Sequence, residues 1–123
     1  MIEVFLTTVL VVNFSQKNDT IIVELLAEAG YAVEQATGWS AFTDALGQQV
    51  DLLLFDALRE DDLTWLPRLR TACQCPLVVI GPTRNSKLAV YTLDQGADDY
   101  ILRPFHGGEL LARLRAQLRR LFG

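Results

Sequence analysis

Short apolar runs alternate along this chain with stretches in which apolar residues recur every three or four positions. Residues 8–12, 50–55 and 76–81 are mostly apolar without alternation, which is typical of strands buried on both faces of a sheet. Residues 31–36 alternate between apolar and polar, as a half-exposed edge strand does. Residues 99–102, with the sequence DYIL, are predicted to form a short fifth strand. The pattern therefore predicts five strands.

Helical periodicity fills the gaps between these runs. In the first gap, Asn18 or Asp19 could cap a helix, and Gly30 follows its last periodic residue as a stop. One stripe of that helix consists of Ile22, Leu25, Leu26 and Ala29. Further helices are predicted at residues 40–46, 63–72, 87–95 and 108–122, of which the last is strongly amphipathic.

This alternation of strands and helices predicts an α/β fold with a parallel sheet and helices on both faces, because right-handed crossovers force that packing. The chain has 123 residues, half of them hydrophobic, which suits one domain at residues 1–123 with its own core. In such a sheet the functional crevice lies beyond the carboxyl ends of the strands. We therefore expect Asn13, Phe14, Asp56, Gly81 and Arg103 to meet there.

Composition excludes several functions. A net charge of −4 argues against nucleic-acid binding by this segment alone, and no apolar run reaches the roughly 20 residues of a membrane span. Glu3 and the lack of an early basic region make the N-terminus a poor signal peptide. Cys73 and Cys75 are too few for a disulfide framework, so we expect ordinary thiols in a reducing cytoplasm rather than a redox or metal site.

Two segments resemble a known family. "DLLLFD" at residues 51–56 resembles the central strand of bacterial response-regulator receiver domains, which ends in the phosphoacceptor aspartate. "GADDYILRPF" at residues 96–105, followed by "ELLARLRAQLRR", resembles the end of receivers from the OmpR/PhoB group. The resemblance covers residues 8–121 and implies a flavodoxin-like, doubly wound sheet of five parallel strands in the order 2-1-3-4-5.

The resemblance also assigns positions at the predicted crevice. Asp56 matches the phosphoacceptor, whereas Asn13 and Phe14 fall where the family has two acids that hold Mg²⁺. Gly81 falls where the family has a Thr or Ser, and Arg103 falls where it has a Lys. Magnesium prefers carboxylate oxygens, so this set of side chains departs from what the ion needs. We therefore hypothesise an atypical receiver that uses no metal or other cofactor and is not an enzyme.

Several interpretations of these side chains remain open. Phe14 could fill the space of the metal site or line a small-molecule pocket. Arg103 could pair with Asp56 or point to solvent. Tyr100 matches the family's aromatic switch but could equally be a packing residue or a dimer contact. The alternative functions are a conventional receiver phosphorylated at Asp56 by a histidine kinase, and a module that docks onto another protein.

The resemblance further implies a homodimer, because OmpR/PhoB receivers pair through their fourth helix, fifth strand and fifth helix. The matching residues here are Val90, Leu93 and Ala112 for the apolar patch, with Asp99–Arg113 and Asp98–Arg120 for two intersubunit ion pairs. A third pair lacks its basic partner, because Ala89 stands where that residue would face Glu109. A winged-helix domain beyond this chain would make any DNA contacts, and no membrane partner is expected.

Overall fold

The computed structural model describes residues 6–15, 20–82 and 85–122. The strands are β1 (Thr8–Asn13), β2 (Ala32–Thr37), β3 (Leu52–Asp56), β4 (Leu77–Gly81) and β5 (Asp99–Leu102). The helices are α1 (Thr20–Glu28), α2 (Trp39–Ala45), α3 (Leu66–Ala72), α4 (Ser86–Asp94) and α5 (Gly107–Phe122), with a 3₁₀ helix at Glu60–Trp65. The predicted caps Asn18 and Asp19 lie outside the described residues.

The strands form one sheet in the order β2-β1-β3-β4-β5, and every pair is parallel, which confirms the predicted fold. Their carboxyl ends lie side by side, since Val12 is level with Phe55, and Asp56 is level with Ile80. Gly81 is in turn level with Leu102. The register therefore brings the ends of β1, β3, β4 and β5 to one edge of the sheet.

Each face of the sheet carries its own apolar cluster, because alternate residues of a strand point to opposite faces. One cluster, against α2 and α3, includes Leu10, Val12, Phe42, Leu53, Phe55, Leu66, Leu69 and Val79. The other, against α1 and α5, includes Val9, Val11, Ile22, Leu26, Leu54, Ile80, Leu110 and Leu114. Both faces of β1 and β3 are thus buried, as their unbroken apolar runs predict.

The predicted helix at residues 63–72 differs from the structure, in which the 3₁₀ helix comes first and α3 begins at Leu66. Pro67 stands in the first turn of α3, where its missing N–H costs nothing because that group has no partner within the helix. The carboxylate of Asp62 accepts hydrogen bonds from the backbone N–H groups of Leu58 and Arg59, both 3.1 Å long. These bonds hold the segment after β3 in a separate, tighter turn.

The prediction of ordinary thiols at Cys73 and Cys75 is wrong, because the two residues form a disulfide. Cys73 follows α3 with extended backbone angles, so the side chains of residues two apart lie on the same side of the chain. Their Cα atoms are 5.5 Å apart, a spacing that suits a disulfide. The prediction used the number of cysteines, which argues against a set of disulfides between distant segments but not against a bond between residues two apart.

Among the described residues, no helix is long and apolar enough to cross a membrane.

Candidate functional site

Asp56 ends β3 and is almost completely buried, with 1 % of its surface exposed. Its carboxylate forms an ion pair with the guanidinium of Arg103, which follows β5 and has 22 % of its side chain exposed. The backbone N–H of Arg103 donates to the carbonyl of Gly81 at 3.2 Å, which ties this arginine to the end of β4. The expected ion pair is therefore present, and the alternative of an arginine pointing to solvent is wrong.

Phe14 packs into a group of aromatic rings beside this pair. Its ring stacks on Trp65 with centroids 4.3 Å apart and planes within 1°, and it meets Phe55 edge-on at 5.8 Å. Trp65 also stacks on Trp39 at 5.8 Å. Contacts of this kind contribute beyond the burial of the rings themselves. Phe14 thus joins the apolar cluster of Leu10 and Phe55, as expected of a space-filling residue.

The polar atoms near Asp56 are a poor set of ligands for Mg²⁺, which takes mainly carboxylate and water oxygens. Asn13 is buried and offers a neutral amide oxygen, which accepts from the backbone N–H of Ser15 at 3.4 Å. Asp62 is buried too, but its carboxylate binds the backbone of Leu58 and Arg59. Among the described residues, no group of three or more His, Cys, Asp and Glu side chains could hold a metal. The residues present do not fit the ion.

Tyr100 lies over Gly81, so that a Cβ added to this glycine would collide with the phenol ring and its hydroxyl. The hydroxyl is buried and has no hydrogen-bond partner within the described ranges. Burial, and then the negative charge of Glu60, raise the pKa of Tyr100 above its usual 10.0. The ring also packs against the cluster that contains Phe14, so its inward position depends on the glycine.

The residues predicted to form a dimer surface lie on α4, β5 and α5. Val90 is 59 % exposed and Leu93 is 47 % exposed, although both are apolar. Arg113 donates to both carboxylate oxygens of Asp99 at 3.1 and 3.2 Å, and to Glu109 at 3.1 Å, all within one chain. These hydrogen bonds, first that to Asp99, raise the pKa of Arg113 further above its usual value.

Asp98 differs from the prediction in the partner it meets within its own chain. Its carboxylate pairs with Arg70 of α3 at 3.2 Å, whereas Arg120 donates to Gln117 at 3.4 Å. Ala112 is exposed on α5 and directly precedes Arg113, the partner of Asp99. The contacts between subunits at all these positions stay predictions.

Two residues that shape this site were missed by the sequence analysis in this role. Trp65 supplies the face on which Phe14 stacks, and no sequence signal links the two because they meet only through the fold. Asp62 holds the turn after β3, and its place three residues after Arg59 is the spacing of a capping box. The Arg59 side chain only donates, so the sequence carries no capping-box signature at this place.

Comparison with known proteins agrees with the fold. The family described as "Response regulator receiver domain" matches residues 9–115. The transcriptional regulatory protein HprR of Escherichia coli (strain K12) is 34 % identical over 114 residues, covering 90 % of this chain and 51 % of HprR. CpxR of the same organism, also named a transcriptional regulatory protein, is 36 % identical over 115 residues, covering 91 % of this chain and 49 % of CpxR.

Solved structures are similar as well. A two-component response regulator from Clostridium difficile superposes with a TM-score of 0.82 at 22 % identity, covering 95 % of this chain and 99 % of that one. This chain spans about half the length of the curated relatives it matches. Because the family match extends over most of the sequence, from β1 into α5, the chain belongs to the receiver-domain family of response regulators.

Proposed function

We propose that this receiver domain controls the pairing of a transcription regulator without Mg²⁺-dependent phosphorylation of Asp56. The observation that carries the proposal is the ion pair between buried Asp56 and Arg103, set beside Asn13 and Phe14 in place of acids. Transfer of a phosphoryl group to a carboxylate brings anionic oxygens together, so it depends on positioning and on neutralisation of charge. Here a guanidinium already neutralises the carboxylate that would have to attack.

The packing of the Tyr100 ring at the end of β4 also supports the proposal. In a receiver of the family type, a hydroxyl residue at position 81 would connect the phosphoryl group to the aromatic switch. Gly81 has no such group, and the ring of Tyr100 occupies the space above it. The packing of Tyr100 over Gly81 thus supports a switch that does not depend on phosphate.

The output we propose is a symmetric dimer formed through α4, β5 and α5. Val90 and Leu93 leave apolar surface exposed on α4, and a second copy would cover it. The ion pair of Arg113 with Asp99 lies on the same face and could exchange partners between copies, which would fix the register of the dimer. HprR and CpxR are named transcriptional regulatory proteins and are about twice as long as this chain, which favours a DNA-binding domain beyond it.

A conventional receiver is the second candidate, because Asp56 keeps the phosphoacceptor's place at the end of β3 and has a cation beside it. A histidine kinase would then be the partner. The experiment that separates the two is intact-mass measurement after incubation with acetyl phosphate and MgCl₂, with Asp56→Asn as the matched control. We expect no phosphoryl group on either protein. Addition to the wild type that is absent from the control would overturn the proposal.

A variant that restores the family's acids shows that the assay can detect transfer. We expect the triple variant Asn13→Asp, Phe14→Asp, Arg103→Lys to bind Mg²⁺ and gain a phosphoryl group under the same conditions. If this variant folds, binds the ion and still gains none, loss of the acids is not what blocks transfer.

The dimer is tested by sedimentation velocity on the same samples. We expect the wild type to be a dimer and Leu93→Lys to be a monomer, because the substitution places a charge in the apolar patch of α4. Ile21→Lys is the control, since Ile21 is 72 % exposed on α1, away from α4, and its change should leave the dimer intact. A monomeric wild type, or equal effects of the two substitutions, would contradict the proposed surface.

A further inference from the structure

The turn between α3 and β4 holds the Cys73–Cys75 disulfide, which the function proposed above does not use. We propose that this turn is a thiol-exchange site: a small anionic peptide thiol of the glutathione type opens the disulfide, and its oxidised form closes it again. Arg70 then transmits the change from this turn to Asp98 at the start of β5. The proposal is independent of whether Asp56 accepts a phosphoryl group.

The two sulfur atoms are not equally accessible. Cys73 is 7 % exposed and belongs to the apolar cluster under α3, whereas Cys75 is half-buried. Cys75 also lines an open crevice of about 340 Å³, whose other lining residues include Gln74, Pro76, Asp98 and Arg120. Thiol exchange requires direct approach to one sulfur, so attack falls on Cys75 Sγ.

The chemistry balances with two thiol molecules. A thiolate attacks Cys75 Sγ and forms a mixed disulfide, while the bond to Cys73 breaks and Cys73 leaves as a thiolate that takes up a proton. A second thiolate attacks the sulfur of the bound thiol and releases Cys75, which is protonated in turn. Two thiols are oxidised to one disulfide, and their two electrons reduce the cysteine pair. The oxidised form of the same thiol reverses both steps.

The charge around the crevice indicates which kind of thiol it favours. Two arginines, Arg70 and Arg120, and one acid, Asp98, line it. Arg70 neutralises Asp98 through their ion pair, and Arg120 is exposed at the C-terminal end of α5. The crevice therefore keeps a net positive charge, which attracts an anionic thiol over a neutral one.

Arg70 connects the disulfide turn to the next strand through both ends of its guanidinium. Its Nη2 donates to the backbone carbonyls of both cysteines, at 2.7 Å for Cys73. Its Nη1 donates to the carbonyl of Gly96 at 3.0 Å and to Asp98 at 3.2 Å. Two carbonyls converge on one nitrogen because the disulfide closes the turn between them. Once the disulfide opens, the two carbonyls can separate, which weakens their hydrogen bonds with Arg70.

Gly96 and Asp98 show how closely the second turn depends on this arginine. Gly96 has a φ of 108°, and a Cβ there would lie 2.6 Å from Cδ of Arg70, so only glycine fits beside the arginine stem. Asp98 binds the first residue of β4 twice, since its carboxylate accepts from Leu77 N–H at 2.8 Å and its own N–H donates to Leu77 at 2.7 Å. A change at Arg70 therefore reaches the β4–β5 pairing.

The exchange step is tested with matched single variants in buffers of reduced and oxidised glutathione, followed by intact-mass measurement. We expect the wild type to move between disulfide and dithiol as the ratio changes. Cys73→Ser, which leaves the accessible Cys75, should gain a glutathione adduct severalfold faster than Cys75→Ser. A wild type that stays in one redox state at every ratio overturns the proposal, and so do equal adduct rates in the two variants.

The preference for an anionic thiol is tested with Arg120→Gln. This change should slow reduction by glutathione severalfold, and should slow reduction by 2-mercaptoethanol less, because the attacking thiolate of 2-mercaptoethanol carries less negative charge. Equal slowing of the two reagents, or no slowing of either, contradicts the charge argument.

The link through Arg70 is tested by amide hydrogen exchange on the oxidised and reduced wild type. We expect reduction to speed exchange severalfold at the amides of Leu77 and Asp98, while that of Leu10 in β1 is unchanged. In Arg70→Gln, exchange at both amides should be fast in either redox state, and Arg70→Lys serves if the first variant does not fold. The link through Arg70 is overturned if the amide exchange rates do not depend on the redox state. It is also overturned if they still depend on the redox state in both Arg70 variants.

Discussion

The acceptor edge, formed by Asn13, Phe14, Asp56, Gly81 and Arg103, differs from the α4–β5–α5 face in what each leaves uncovered. At the edge, the buried carboxylate has its cation and the phenylalanine has its stacking partner. On the face, apolar side chains of α4 remain about half exposed. A ligand at the edge must displace the ion pair and the ring stacking, whereas a partner on the face would cover apolar surface of α4 that is already exposed. The proposed dimer would therefore disturb fewer buried contacts than a ligand at the edge would.

Tyr100 belongs to both regions, because its ring lies over Gly81 at the edge and its chain neighbour Asp99 pairs with Arg113 on the face. Four substitutions test the contrast between the regions, from the largest expected effect to the smallest.

Arg103→Ala should have the largest effect, a loss of about 3 kcal/mol in the free energy of unfolding, because it leaves the buried carboxylate of Asp56 without its cation. Urea unfolding of the variant measures the loss. Arg115→Ala, on an exposed position of α5, is the control and should stay within about 0.5 kcal/mol of the wild type. Equal stability of the two variants would show that the ion pair does not hold the edge together.

Phe14→Ala should cost about 2 kcal/mol, less than removal of a fully buried ring, because Phe14 is only half-buried. Tryptophan fluorescence should change as well, since Trp65 loses the ring that stacks on it. Phe42→Ala, at a fully buried position, gives the upper reference. A loss near zero with unchanged fluorescence would contradict the aromatic packing at the edge.

Tyr100→Phe should stabilise the chain by about 1 kcal/mol, because it removes a buried hydroxyl that has no partner in the described parts of the chain. It should also change the dependence on pH. Burial raises the pKa of Tyr100 above 10.0 in the folded chain, so above that pH the folded state keeps a proton that the unfolded state has lost. The stability of the wild type therefore falls as the pH rises from 10.0 through the raised value.

Unfolding free energies at about pH 8 and about pH 10.5 measure this difference. Tyr100→Phe should lose part of the fall, whereas Tyr91→Phe, at an exposed position, should keep the wild-type profile. A destabilised Tyr100→Phe variant would mean that the hydroxyl has a favourable partner.

Arg113→Ala should have the smallest effect, a loss of about 0.5 kcal/mol, since its ion pairs with Asp99 and Glu109 are largely exposed. The loss should shrink in high salt, which screens such pairs. Unfolding at low and high salt measures it, with Arg119→Ala as the control. If the pair with Asp99 exchanges between copies as predicted, Arg113→Ala also weakens the dimer in sedimentation. An unchanged dimer would show that the pair stays within one chain.

The sequence predicted the sheet well because burial on both faces leaves a plain signal. The runs that became β1, β3 and β4 are unbroken apolar stretches, and each boundary in the structure lies within two residues of the predicted one. The ion pair of Arg103 with Asp56 was also within reach, because the rule that the strand ends meet at one edge places both residues there.

Other features depend on neighbours in space and leave no local pattern. The stacking of Phe14 on Trp65 joins β1 to the 3₁₀ helix, and Arg70 meets Asp98 only because α3 lies beside the start of β5. The Cys73–Cys75 disulfide depends on the extended backbone after α3, which the residue count does not report. The predicted helix at residues 63–72 began three residues too early. Pro67 lies in the first turn of α3, and the spacing of apolar residues does not report where that turn begins.

The closeness of Tyr100 to Gly81 limits the order in which this protein could change over evolution. The Cβ of any larger residue introduced at position 81 would collide with the phenol ring in its present position. A hydroxyl residue there therefore requires the ring of Tyr100 to turn away from position 81, so the two positions depend on each other. Regaining a phosphate-linked switch would thus require both a new side chain at position 81 and a different orientation of the ring at position 100.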